Sequence, residues 1–200
     1  YAKVVPFIVT LGMLSIARGI TNVYTRGSPI IKLDKRFTAI GQSSFLGLGI
    51  PIWIFIGMLI VGFIILHTTK LGRYTLAVGG NEDAAKTSGI DTAKIKLFAY
   101  SFTGFCCGLA GILMTAKTNA GAPNAGTGYE LDAIAAAIIG GTSPSGGKGT
   151  IFGTLLGVLI FGIIQNGLDI LNVSSYIQQV VKGLIIIGAV WADKANRSAR

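Results

Sequence analysis

A glycine- and lysine-rich segment, residues 140–150 (GGTSPSGGKGT), comes nearest to a nucleotide-binding motif in this sequence. A phosphate-binding loop requires a glycine, four further residues, and then Gly-Lys followed by serine or threonine. Here Thr142 stands at the first glycine position and Gly149 follows Lys148, so the match fails twice. We interpret the segment as a tight turn whose glycines allow positive φ angles and close backbone packing. We therefore do not expect this segment to bind a nucleotide.

The sequence offers no set of residues typical of a catalytic centre. The single histidine, His67, lies at the end of an apolar run, and no serine has a partner base arranged by a motif. Cys106 and Cys107 are adjacent within another apolar run, which suits neither a disulfide framework nor a metal site. We therefore predict a protein that is not an enzyme, with no metal and no cofactor.

Polar residues within or beside apolar runs form a second group of candidates. Because such side chains are costly in lipid, we expect them to face inward. Gln165 and Asn166 are the strongest candidates for lining a polar pathway, and Arg18 and Asn119 are further ones. Hydrogen bonding between helices, without a transport role, is the alternative for Gln165 and Asn166.

A third group lies in the stretch VGGNEDAAKTSGID, residues 78–91. Asn81 is a good N-cap, Glu82 and Asp83 follow where the helix dipole favours acids, and Gly89 is placed as a left-handed stop. The pattern predicts a helix of about two turns, roughly 10 Å long. An isolated helix of that length is not stable in water, so something must support it.

Small residues on this helix, Ala84, Ala85 and Ser88, are predicted to form a smooth patch with charged side chains at its edges. Such a face suits insertion into a groove on another protein. The alternative is a solvated loop that only connects two apolar runs.

Membrane helices must position these segments. Of the 200 residues, 51% are hydrophobic and 12% charged, and the mean hydropathy is +0.66. Residues 49–66 and 97–116 carry no charge and are each long enough to cross a bilayer of about 30 Å. Further apolar windows cover residues 4–24 and 133–141 and begin at residues 151 and 176. We predict an all-α, polytopic membrane helical bundle of about six spans, with residues 133–141 short or re-entrant.

Glycine spacing supports close helix packing in such a bundle. Gly104 and Gly108, and also Gly153 and Gly157, have the spacing of small residues that lets two membrane helices approach closely.

Basic residues predict the orientation, because cytoplasmic loops carry the excess of lysine and arginine. The chain has a net charge of +9. Its basic residues lie beside apolar runs rather than among aromatic residues, which argues against nucleic-acid binding. With residues 70–96 inside, ten basic residues are cytoplasmic: Lys3, Lys70, Arg73, Lys86, Lys94, Lys96, Lys148, Lys194, Arg197 and Arg200. Five are outside: Arg26, Lys32, Lys35, Arg36 and Lys117. Both termini are then expected in the cytoplasm, provided that residues 133–141 count as a full crossing.

Three motifs resemble one family over essentially the whole chain. GRYTLAVGGNEDAAKTSGI looks like the cytoplasmic signature of bacterial ABC-importer permeases of the ribose and simple-sugar type. The segment from YELDAIAAAIIGGTSPSGGKGT through IIIGAVWAD looks like the C-terminal part of that family, and LSIARGITNVYT is similar to its middle. The resemblance implies that residues 1–200 are about the last two-thirds of such a permease, without its first spans.

The resemblance also implies a function and partners. The matching segment of the family is a coupling helix that seats in a groove on an ATPase subunit, and it falls here on Gly79, Gly80, Asn81, Glu82, Asp83, Ala84, Ala85, Ser88, Gly89 and Ile90. The expected protein is a subunit of an ATP-driven importer of ribose or a related sugar, with alternating access, in the bacterial inner membrane. Its expected partners are the ATPase, a second permease copy, an external sugar-binding protein and the lipid bilayer.

Two other functions remain open at this stage. A branched-chain amino-acid permease has a similar coupling loop. A channel or scaffold that needs no ATPase would make residues 81–89 dispensable. A membrane enzyme is disfavoured because no nucleophile, metal cluster or acid-base pair is evident.

Overall fold

Helices make up most of the computed structural model, which describes residues 6–198. They are α1 (Pro6–Thr25), α2 (Lys35–Gln42), α3 (Ile50–Phe63), α4 (Lys70–Gly80), α5 (Glu82–Thr87), α6 (Thr92–Thr118), α7 (Tyr129–Ile139), α8 (Ile151–Ile170) and α9 (Ser175–Ser198). The strands have two residues each: β1 (Ile30–Ile31), β2 (Ser44–Phe45), β3 (Leu48–Gly49) and β4 (Ala120–Gly121). The all-α fold class is confirmed. Lys3 and Arg200, which the charge count uses, lie outside the described residues.

Within the described residues, three helical segments are long and apolar enough to cross a membrane: Ile50–Thr68, Thr92–Thr118 and Ile151–Ile170. The first continues α3 through a π-helical turn, Ile64–Thr68. Many large apolar side chains stay exposed, as Ile163 does at 71%, which is expected of helices that face lipid. The chain is a multi-pass membrane protein, and the count of six spans stays a prediction.

The chain divides into two compact units, and the first comprises residues Tyr1–Ile54 and Cys106–Thr127. In it, β1 pairs antiparallel with β4, and β2 with β3. Helix α2 lies directly on the end of α6, since a Cβ added to Gly41 would be 2.4 Å from the backbone nitrogen of Lys117. Neither this short helix nor the strands were predicted from the sequence.

The second unit comprises residues Phe55–Phe105 and Gly128–Arg200. Helices α7 and α8 touch through their backbones, because a Cβ on Gly157 would be 2.0 Å from the carbonyl oxygen of Ala136 and one on Gly153 would be 2.2 Å from that of Gly140. The predicted close approach at Gly153 and Gly157 is therefore confirmed.

The second predicted pair of packing glycines behaves differently. A Cβ on Gly104 or Gly108 would meet nothing within 4 Å in the part of the chain that the structure describes. The spacing of these two glycines therefore does not correspond to a helix contact there.

Two short helices of the second unit can be compared with the predicted membrane topology. Helix α7 has 11 residues, about 16 Å at 1.5 Å per residue, so it is too short to cross a bilayer, as predicted. Helix α4 was not predicted, because residues 70–96 read as a polar connection. It begins at the cap Thr69, whose side chain accepts a hydrogen bond from the Gly72 backbone N–H at 3.3 Å.

Candidate functional site: the short helix α5 and its supports

Helix α5 forms as its local sequence predicts. The Asn81 side chain caps it by accepting a hydrogen bond from the Ala84 N–H at 3.0 Å. At its other end Gly89 has a φ of 82°, and its N–H donates to the Lys86 carbonyl at 3.0 Å. The Ile90 N–H donates to the Ala85 carbonyl at 3.1 Å, which completes a Schellman motif.

Contacts with the flanking helices supply the support that so short a helix requires. Ala85 is only 5% exposed and packs with Val78 of α4 and Ile95 of α6, and Ile90 adds to this cluster. The prediction that Ala85 shares an exposed patch with Ala84 and Ser88 is therefore wrong. Its methyl group packs on α4 and α6, and this apolar contact stabilises a helix that is too short to be stable alone.

The remaining surface of α5 is exposed and carries small and charged side chains. Asp83, Ala84, Lys86 and Ser88 lie on it. Glu82 forms an ion pair with Lys96 of α6, and the hydrogen bond from this ammonium lowers the pKa of the Glu82 carboxyl below its ordinary value. Lys96 and the buried apolar partners of α5 were not found by sequence reasoning, because they come from other elements.

Asp91 leads the chain from α5 into α6. Its carboxylate accepts from the Lys94 N–H at 3.2 Å and pairs with the Lys94 ammonium at 3.0 Å. Hydrogen bonds from the Lys94 side chain and backbone lower the pKa of Asp91. Asp91 thus accepts the capping hydrogen bond, and Thr92 is the first helical residue of α6.

The glycine-rich segment forms a turn between α7 and α8. Gly141, Gly146 and Gly147 have φ angles of 84°, 85° and 76°. The Ser143 N–H donates to the Lys148 carbonyl at 3.0 Å and closes the turn. The interpretation as a turn built on positive-φ glycines is confirmed.

Polar side chains of α7, α8 and α9 form a second cluster in this unit. The Lys182 ammonium lies 2.8 Å and 3.0 Å from the two carboxylate oxygens of Asp132, and both side chains are about one-fifth exposed. Gln178 is 8% exposed and donates to the Asp169 carboxylate and to the Val173 carbonyl, each at 2.9 Å. None of these pairings was predicted from the sequence.

The four pathway candidates lie in different surroundings. In the first unit, Arg18 is half-buried on α1, and the Asn119 side chain accepts from the Leu33 N–H at 3.3 Å. In the second unit, Gln165 is 3.5 Å from Gln178 across α8 and α9, whereas Asn166 is exposed. Contact between helices thus accounts for Gln165, and a transport role of all four stays a prediction.

Comparison with known proteins places this geometry in context. A family model described as "Branched-chain amino acid transport system / permease component" matches residues 1–190. The chain is 46% identical over 194 residues to the ribose import permease protein RbsC of Bacillus subtilis, covering 96% of this chain and 60% of that protein. It is 48% identical over 199 residues to the protein of the same name from Escherichia coli K12, covering 98% and 62%.

A third relative is named for a different sugar. The L-arabinose transport system permease protein AraH of Escherichia coli K12 is 36% identical over 198 residues, which cover 99% of this chain and 60% of that protein. The chain thus spans about three-fifths of the length of these relatives. No solved structure matches it.

Proposed function

We propose a function from one established premise: the chain belongs to the family of permease components of branched-chain amino acid-type transport systems, within which it is similar to sugar ABC permeases. The proposed function is that of the membrane-spanning permease subunit of an ATP-driven importer for ribose or a related simple sugar. The observation that carries this proposal is the 46–48% identity to two ribose import permeases over at least 96% of the chain.

In this proposal, α5 is the coupling helix that seats in a groove of a separate ATPase subunit. Its exposed face supports the assignment, because small side chains such as Ala84 and Ser88 allow close contact while Asp83 and Lys86 supply charges at the edge. The packing of α5 against α4 and α6 also supports the assignment, because a displacement of α5 by the ATPase would displace these two helices.

The rest of the importer follows from the same proposal. A second copy of the permease completes an alternating-access path, an external binding protein delivers the sugar, and the ATPase binds on the cytoplasmic side. The excess of basic residues on the side of α5 supports a cytoplasmic α5 and a cytoplasmic C-terminus in the bacterial inner membrane. Gln165, Asn166, Arg18 and Asn119 remain the candidates for lining the translocation pathway.

A matched pair of substitutions tests the docking role. Ala84 of α5 and Ala93 of α6 are both exposed alanines in the first turn of a helix, where an added carboxylate does not disfavour the helix. We expect Ala84→Glu to abolish co-purification of the ATPase and ribose uptake, and Ala93→Glu to leave both intact. Retained association and uptake in Ala84→Glu would contradict the coupling-helix assignment and indicate that residues 81–89 only connect two helices.

Competition identifies the substrate class. Uptake of labelled ribose into vesicles holding the complete importer should be reduced by excess unlabelled ribose and not by leucine. The family description names branched-chain amino acids, so inhibition by leucine would favour the amino-acid alternative.

A further inference from the structure

The C-terminal end of α4 and the turn between α7 and α8 touch through their backbones. A Cβ on Gly146 would be 2.2 Å from the Gly79 carbonyl oxygen, and one on Gly147 would be 2.7 Å from the Gly80 Cα. In the other direction, a Cβ on Gly79 would be 2.9 Å from the Gly147 backbone nitrogen. Real Cβ atoms essentially never come closer than 3.0 Å, so only glycine allows this approach.

The two sides of this contact belong to different parts of the second unit: one continues into α5, and the other connects α7 and α8. On one side, Gly80 is followed directly by Asn81, the cap of α5, and Val78 packs on Ala85. Movement of α5 therefore displaces the end of α4.

On the other side, the turn is joined to both of its helices. The Thr142 N–H donates to the Ala137 carbonyl of α7 at 3.0 Å, and the Thr142 hydroxyl lies 3.4 Å from that of Thr154 on α8. The two helices are themselves in backbone contact at Gly153 and Gly157. Movement of the turn therefore displaces α7 and α8 together.

A contact between two main chains is stiffer than one between side chains, because no side-chain torsion can absorb a displacement. We propose that the contact of Gly79 and Gly80 with Gly146 and Gly147 passes the movement of α5 to α7 and α8, and that Gly79 is a positioning residue for transport. This inference rests on the proposed function, in which an ATPase moves α5.

Two neighbouring glycines provide the test. A Cβ on Gly79 would be 2.9 Å from the Gly147 nitrogen, whereas a Cβ on Gly80 would lie 3.6 Å from the Gly147 Cα, an ordinary contact. Gly79→Ala and Gly80→Ala therefore add the same methyl group to adjacent positions of α4 with the same gain in helix propensity, and only the first forces the contact apart.

The experiment compares the wild type and both variants in the complete importer, reconstituted with its ATPase and binding protein. We expect Gly79→Ala to assemble and hydrolyse ATP normally while the ribose transported per ATP falls by about two- to thirtyfold, the range measured for changes in coupling networks. Gly80→Ala should match the wild type. The inference is overturned if Gly79→Ala also matches it, or if its transport falls only in proportion to the amount of assembled complex.

A second readout separates this inference from the choice of substrate. Hydrogen exchange of α7 amides should change when a non-hydrolysable ATP analogue is added to the wild type and to Gly80→Ala, and the change should be smaller in Gly79→Ala. A wild type that shows this response without ribose uptake contradicts the sugar assignment alone. A wild type that does not bind the ATPase contradicts the docking role of α5 and overturns the inference with it.

Discussion

Two ion pairs join separate helices of the second unit, and their surroundings differ. Glu82 of α5 and Lys96 of α6 leave 46% and 48% of their side-chain surfaces exposed. Asp132 of α7 and Lys182 of α9 leave only 20% and 21% exposed. The first pair stands beside a helix whose stability comes from a buried alanine and two caps, whereas the second lies among helices whose surroundings are largely apolar.

The difference determines what each pair contributes. Exposed ion pairs gain little in water, because solvent screens the charges and two long side chains lose freedom. Removing one partner of a shielded pair is costly, because the remaining charge stays without compensation. We therefore expect α7 and α9 to depend on their ion pair, and α5 to depend on packing and capping instead.

The largest effect is expected when the shielded pair loses one partner. Lys182→Met should lower the free energy of unfolding by about 3 kcal/mol, the lower end of the range for buried pairs because both side chains are partly exposed. Unfolding in mixed detergent micelles measures the change. The double variant Asp132→Leu with Lys182→Met should recover most of the loss, and an equal loss in both proteins would show that the charge left behind is not the cause.

The next effect concerns the packing of α5. Ala85→Leu adds volume to the cluster with Val78 and Ile95, and overpacking of this kind costs about 1–3 kcal/mol. We expect faster hydrogen exchange across residues 82–90. Ala84→Leu adds the same atoms at an exposed position and should leave exchange unchanged; equal acceleration in both variants would contradict the buried position of Ala85.

A smaller effect is expected within the polar cluster. Gln178→Leu removes the donor to Asp169 and Val173, and a hydrogen bond between membrane helices contributes about 0.6 to 1.7 kcal/mol. Stability in detergent should fall by about 1 kcal/mol. The neighbouring Gln179 is exposed, so Gln179→Leu is the matched control and should be close to neutral.

The smallest effect is expected at the exposed pair, and it depends on pH. The pKa of Glu82 in the folded protein lies below its ordinary value of 4.5, mainly because of the hydrogen bond from Lys96. The contribution of the pair is therefore present above pH 4.5 and is lost as the pH falls through the lowered folded value. The protection factors of the α5 amides, which compare measured exchange with the intrinsic rate at each pH, should fall slightly over that acidic range in the wild type and stay flat in Glu82→Gln. A fall of the same size in Glu82→Gln would assign the change to another group.

Features set by neighbouring residues could be predicted from the sequence alone. The cap Asn81, the stop Gly89 and the glycine-rich turn each depend on the conformational preferences of a few adjacent residues, and all three occur as predicted. Apolar run length likewise predicted the three described segments that are long and apolar enough to cross a membrane, and the shortness of α7. These properties are local, so no knowledge of the rest of the chain was needed.

Features set by residues far apart in the chain could not be predicted in this way. Asp132 and Lys182 are separated by 50 positions, and Glu82 and Lys96 by 14. The inward direction of Ala85 follows from where α4 and α6 lie, and a pattern of small residues on a helix of under two turns does not distinguish one face from another. The contact of Gly79 with Gly147 likewise exists only because the folded chain brings two backbones together. Local preferences thus determined the elements, while packing decided which of their faces are buried and which are free to bind a partner.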